Sequence, residues 1–221
     1  MKQIRRLPYR SMVALSLVVL ALTGCSTVYY NTMEKLGFEK REILVDRVGD
    51  ARDAQSEAQE TFRSSLERFQ SMVNTPDSEL KARYDELSSA YEESVDAADE
   101  VSDSINGVED VSEALFSEWE DELERYESAS LRQSSEQQLN ETRGQYEKLI
   151  KRMHQTENRM APVLQAFEDQ VLYLKHNLNA QAIGALEGEL SRIRDDVDTL
   201  IRNMEASIAE SEAFIDRFRD Q

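Results

Sequence analysis

The stretch LNETRGQYEKLIKRMHQTENRMAPVLQAFEDQVLYLKHNL, residues 139–178, decides the fold. Leu139, Tyr146, Met153, Met160, Phe167 and Leu174 recur every seven residues, and Ile150, Leu164, Val171 and Leu178 occupy the other apolar position of the heptad. Apolar side chains at this spacing line one face of an α-helix, and a strict repeat of seven implies left-handed winding around neighbouring helices. Pro162 interrupts the run. It removes a backbone donor, so it is expected to kink or restart the helix, at about 3 kcal/mol if the helix continues. Ser134 with Gln137 three residues on fits a capping box and places the helix start there.

The flanking sequence repeats the pattern. After Asn177-Leu178-Asn179, read as a turn, Ile183, Leu186, Leu190, Ile193, Val197, Leu200, Met204, Ile208, Ile215 and Phe218 step in threes and fours. Before it, Leu80, Tyr84, Leu87, Tyr91, Val95, Ala98, Val101, Ile105, Val108, Val111, Leu115, Trp119, Leu123 and Tyr126 do the same, in a segment expected to run from Asp77 to Ala129. Asn106-Gly107 is its weak point. The stripe keeps phase across it, so Gly107 is read as a glycine tolerated inside a helix at about 1 kcal/mol. A first segment, Tyr30–Val73, ends at Asn74-Thr75-Pro76-Asp77, where the proline disfavours helix before it and Thr75, Asp77 or Ser78 can cap the next helix. Four segments of similar length with short connections predict an all-α fold, an elongated antiparallel bundle of about four long helices. An extended, dimerising coiled coil is the alternative.

The N-terminus has a different character. Lys2, Arg5, Arg6 and Arg10 precede the apolar run SMVALSLVVLAL at residues 11–22, the layout of a secretory signal peptide. The run is shorter than the roughly 20 residues needed to span a bilayer. Leu22-Thr23-Gly24-Cys25 resembles the lipobox of bacterial lipoproteins, and Cys25 is the sole cysteine. That resemblance implies a thioether-linked lipid on Cys25, cleavage before it and acylation of the new N-terminus. Two or three acyl chains would hold the protein on a membrane, since each buried CH₂ contributes about 0.8 kcal/mol. Ser26 in place of aspartate implies the outer membrane, facing the periplasm. The expected organisation is a signal peptide over 1–24, a lipidated tether over 25–29 and one bundle domain over 30–221.

Composition excludes several functions. Loss of the four N-terminal bases leaves 22 Lys+Arg against 44 Asp+Glu, a net charge of −22. Nucleic acid, which needs a basic footprint, is excluded as a partner. Acids concentrate in the second segment: Asp77–Ser130 holds 19 acids and three bases, whereas Leu131–Gln181 holds six acids and seven bases. This charge is a solvated helix face or a docking surface for a basic partner. No phosphate loop, His-Glu-x-x-His or Gly-x-Ser-x-Gly occurs. A di-iron bundle needs Glu-x-x-His on two helices. His154 and His176 have Lys151 and Tyr173 three residues before them, so both are read as helix-surface or turn residues. No catalytic residue, metal site or cofactor is expected.

Two stretches are more specific than generic coiled coil: YYNTMEKLGFEKREILVDRVGDARDAQSEAQETF, residues 29–62, and MAPVLQAFEDQVLYLKHNLNAQAI, residues 160–183. They resemble a family of predicted lipoproteins of Gram-negative bacteria known as a domain of unknown function, over nearly all of the chain after Cys25. The first stretch marks a candidate partner surface. Lys40, Arg41, Asp46, Arg47, Asp50, Arg52 and Asp53 crowd mixed charge among apolar residues, and Ala51, Ala54 and Ala58 allow close helix approach. Intrahelical ion pairing is the plainer account of these charges. The expected function is a non-enzymatic, periplasm-facing scaffold or spacer that binds an envelope protein or itself, held to the membrane through lipid on Cys25. An adaptor regulating an envelope enzyme or transport system is the alternative.

Overall fold

The structure is a computed structural model and describes residues 40–73, 80–177 and 179–219. Cys25, the lipobox residues Leu22, Thr23 and Gly24, the helical reading of residues 30–39 and the proposed caps at Thr75, Asp77 and Ser78 lie outside the described residues. Four helices follow in order: α1 Lys40–Val73, α2 Leu80–Leu123, α3 Ala129–His176 and α4 Ala180–Arg219. At about 1.5 Å per residue they are rods of roughly 50–70 Å. None of the described helices is long and apolar enough to cross a membrane.

Each helix packs on two neighbours, α1 on α2 and α4, and α3 on the same two, so α1 and α3 face each other diagonally. Contacts between sequential helices run in opposite order. Lys40 meets Glu118 and Arg68 meets Glu93 between α1 and α2, while Arg143 meets Glu120 and His154 meets Glu109 between α2 and α3. The architecture is therefore an up-down-up-down bundle, as the four matched segments predict.

The main core is an apolar column, and Phe116, Leu123 and Leu139 form a second, smaller cluster near the α2–α3 turn. Phe69 of α1 stacks on Phe167 of α3 across the diagonal, with centroids 4.5 Å apart, and Phe62 lies 6.3 Å from the same ring. Small residues let the helices close: Ala51, Ala54 and Ala58 of α1 are all buried. Polar layers interrupt the column. Ser65 Oγ donates to Ala90 O at 3.0 Å and lies 2.8 Å from Ser94 Oγ, joining α1 to α2.

Three local readings are corrected. Helix α2 stops at Leu123, where Arg125 N donates to Glu122 O in a turn, so Tyr126 is an exposed loop residue. Helix α3 begins at Ala129, capped by Ser128, whose hydroxyl accepts from Leu131 N at 3.4 Å, and Ser134 sits inside the helix. The second seam of α3 is Thr142, Leu149, Thr156, Val163 and Gln170, all buried; of the residues expected there, Val171 is buried, Ile150 and Leu164 are only partly covered, and Leu178 lies outside the described residues. Its polar members hide it from a hydropathy reading. Thr156 shows how one is satisfied, with its hydroxyl near Arg152 O at 3.2 Å and Asn203 O of α4 at 3.1 Å.

Neither suspected break is one. Helix α2 runs through Gly107, and α3 runs through Pro162. Pro162 is exposed, and so is Asn158, whose carbonyl loses its usual donor, so water can take that place.

Candidate partner surface on the first helix

The seven charged residues singled out near the start of α1 divide into two groups. Lys40 and Arg41 hold the bundle together. Lys40 Nζ lies 2.6 Å from Glu118 Oε2, with only 10% of its side chain exposed. The Arg41 guanidinium lies 5.6 Å from the Trp119 ring of α2 and 4.8 Å from the Phe218 ring of α4. A cation over two aromatic faces is attracted by both ring quadrupoles, and its stem covers apolar surface. These two residues close the end of the bundle and are not free for a partner.

Asp46, Arg47, Asp50, Arg52 and Asp53 remain on the outward side of α1. Arg47 pairs with Asp50 at 3.3 Å and Arg52 with Asp53 at 2.7 Å. Exposed pairs of this kind contribute only tenths of a kcal/mol, so they do not explain the cluster as a stabilising device. They do set the shape of the surface. The Arg47 stem lies over α2, with Cδ 3.6 Å from where a Cβ on Gly107 would stand.

Two grooves flank this part of α1. One, of about 490 Å³, includes Asp46, Arg52, Ile43 and Val45 with Ile215 and Arg219 of α4. The other, of about 510 Å³, runs between α1 and α2. Its lining brings Asp50, Asp53 and Glu57 of α1 against Glu100 and Asp103 of α2, with Arg47 as its one base. Five carboxylates facing each other in one concave strip give a strongly negative local field, which attracts cations and basic peptide segments. Sequence reading named Asp50 and Asp53 of this strip. It passed over Glu57, one turn after Asp53 on the same helix face, and it missed Glu100 and Asp103 because only antiparallel pairing brings α2 opposite them.

The histidines take different places. His176 is exposed at the last turn of α3. His154 is half-buried between two helices: Nε2 lies 3.0 Å from Glu109 of α2, and Nδ1 lies 2.9 Å from Glu157 of its own helix. The hydrogen bond to Glu157, and then the one to Glu109, raise its pKa above the ordinary imidazole value, against the opposing effect of burial. No group of three or more His, Cys, Asp or Glu suited to a metal ion occurs among the described residues.

Exposed apolar side chains lie at the two ends of the bundle. Tyr126 and Leu131 project at the α2–α3 turn, and Leu172 and Tyr173 project near the end of α3. No curated protein and no solved structure matches the chain. A family described as a protein of unknown function (DUF2959) has a sequence model that matches residues 29–218, all four helices but the last residue of α4, and this chain belongs to that family.

Proposed function

We propose that this protein is a non-enzymatic, lipid-anchored helical scaffold of the cell envelope, which presents the acidic α1–α2 groove to a basic segment of another envelope protein. The observation that carries the reading is the concave strip of Asp50, Asp53, Glu57, Glu100 and Asp103. Asp50 and Asp53 pair with Arg47 and Arg52, so the negative excess of the strip comes from Glu57, Glu100 and Asp103, and a Lys- or Arg-bearing segment entering it is attracted. The lipobox-like Leu22-Thr23-Gly24-Cys25 supports attachment to the outer membrane on its periplasmic side, through lipid on Cys25. The groove begins 22 residues after Cys25, near the start of α1, so an anchor there would hold this surface close to the membrane.

A second reading, an adaptor that regulates an envelope enzyme or transport system, draws on the same grooves and on exposed Leu172 and Tyr173. A plain spacer has no use for a concave, charged surface.

The test is photo-crosslinking in cells from Glu57 and Asp103, with mass spectrometry of the products. One recurring heterologous protein, lost when Asp53 and Asp103 are both changed to lysine, is the expected result. Crosslinks confined to this chain, or unaffected by the charge reversal, defeat the groove reading. Fractionation of Cys25→Ala tests the anchor: persistence of that variant in the outer membrane would overturn it.

A further inference from the structure

The α1–α4 interface closes the bundle, and no connection joins those two helices directly. Gln59 Nε2 of α1, exposed, donates to Glu205 Oε1 of α4 at 3.2 Å, and Arg41 lies over Phe218 at the end of the interface. These two contacts run in opposite order along the helices. Gln55, one turn before Gln59, therefore stands at the level of Ser207 and Ser211, within about one turn. All three are fully buried. Both amide atoms of Gln55 and the Ser207 hydroxyl lack a hydrogen-bond partner among the described residues. The Ser211 hydroxyl donates within its own helix, to Ser207 O at 3.0 Å.

Apolar burial by α1 and α4 is thin at this level. Between Val48 and Phe62 the buried residues of α1 are Ala51, Ala54, Gln55 and Ala58, and between Met204 and Phe214 those of α4 are Ser207 and Ser211. The other two helices bring the larger Val101, Ile105, Met153 and Met160 to the same stretch. Burial stabilises in proportion to the apolar area removed from water, so alanine and serine hold α1 to α4 weakly here. The other interfaces carry firmer ties. Lys40–Glu118 and Arg68–Glu93 join α1 to α2, and Arg143–Glu120 and His154–Glu109 join α2 to α3. Thr156 Oγ1 donates to Asn203 O between α3 and α4. No ion pair joins α1 to α4 among the described residues.

We infer that the bundle opens along the α1–α4 interface, the α1–α2 hairpin swinging away from α4 about the α2–α3 interface, and that the buried polar layer of Gln55, Ser207 and Ser211 sets this line of opening. Opening lets water reach the Gln55 amide and the Ser207 hydroxyl, which then gain the hydrogen bonds they lack in the closed bundle. It also parts Phe69 from Phe167, whose stacking favours the closed form. The two walls of the acidic groove move as one piece, because Ser65 and Arg68 of α1 stay bonded to Ser94 and Glu93 of α2. The opening needs no occupant in that groove.

Thiol labelling of the folded full chain, resolved site by site with mass spectrometry so that Cys25 is read separately, tests this. Ser207→Cys and Ser112→Cys each place a thiol at a buried serine, the first at the opening interface and the second beside Tyr146 in the α2–α3 interface. Each rate is divided by that of the same site in the unfolded chain. Ser207→Cys should then react at least about tenfold faster than Ser112→Cys, as a sub-global opening requires. Gln55→Met should slow labelling of Ser207→Cys about fivefold, because the open form no longer gains the hydrogen bonds of the amide. Ser211→Cys, one turn on, takes the place of Ser207→Cys if that variant does not fold. Equal rates at the two sites mean exposure by global unfolding alone and overturn the opening. A Ser207→Cys rate unchanged by Gln55→Met removes the polar layer as its cause.

Discussion

His154 Nε2 of α3 lies 3.0 Å from Glu109 Oε1 of α2, and this bond joins two helices at a ring whose other nitrogen is held by Glu157. Protonated, the ring donates to both carboxylates. Neutral, it can donate to only one.

Stability should therefore depend on pH through this residue. The folded-state pKa is raised above the unfolded value of about 6.5. The stabilisation is fully present below about pH 6.5 and is lost as pH rises through the raised folded value. His154→Gln keeps a polar side chain and removes the titration. Wild type should melt above the variant at pH 5.5, and the gap should close by pH 8.5. The side chain is 39% exposed, so the effect should be on the order of 0.5 kcal/mol. Equal gaps at both pH values would remove His154 as the source.

Gln55 of α1 is fully buried, and neither its amide nitrogen nor its amide oxygen has a hydrogen-bond partner among the described residues. A buried amide left unpaired costs about 1–3 kcal/mol. Gln55→Met, similar in length and volume, should raise the free energy of unfolding by about 1 kcal/mol or more, seen as a higher urea midpoint at unchanged slope. A lower midpoint would mean that the amide is satisfied, for example by buried water.

Arg41 should behave as a packing residue. Its guanidinium sits over Trp119 and Phe218, so Arg41→Ala removes a contact that bridges α2 and α4. A loss of about 1–2 kcal/mol is expected, with a change in Trp119 fluorescence. Arg52→Ala, in an exposed pair, should cost less than about 0.5 kcal/mol by the same denaturation assay.

Gly107→Ala should stabilise the protein. The added Cβ meets Arg47 Cδ at 3.6 Å, an ordinary contact, and α2 is helical on both sides. Alanine favours helix over glycine by about 1 kcal/mol, so the thermal midpoint should rise. A fall would show that α2 needs to bend at Gly107.

The sequence by itself determined four long helices and favoured their antiparallel order over an extended, dimerising coiled coil. Apolar steps of three and four leave no other regular structure, and short connections leave little choice of neighbour. It did not determine where α2 gives way to α3. The acidic run through Glu122, Glu124 and Glu127 reads as helix, and only the turn at Arg125 and the cap by Ser128 show the break. It also hid the seam of Thr142, Thr156 and Gln170. A polar side chain reveals its burial only when its hydrogen-bond partner is known, and for Thr156 that partner lies on another helix at Asn203. The site follows the same division. Local spacing marked Asp50 and Asp53 as a charged cluster on one helix. Antiparallel packing alone set Glu100 and Asp103 opposite them and turned Lys40 and Arg41 inward, because charges distant in sequence become one field only when the fold places them within a few ångströms.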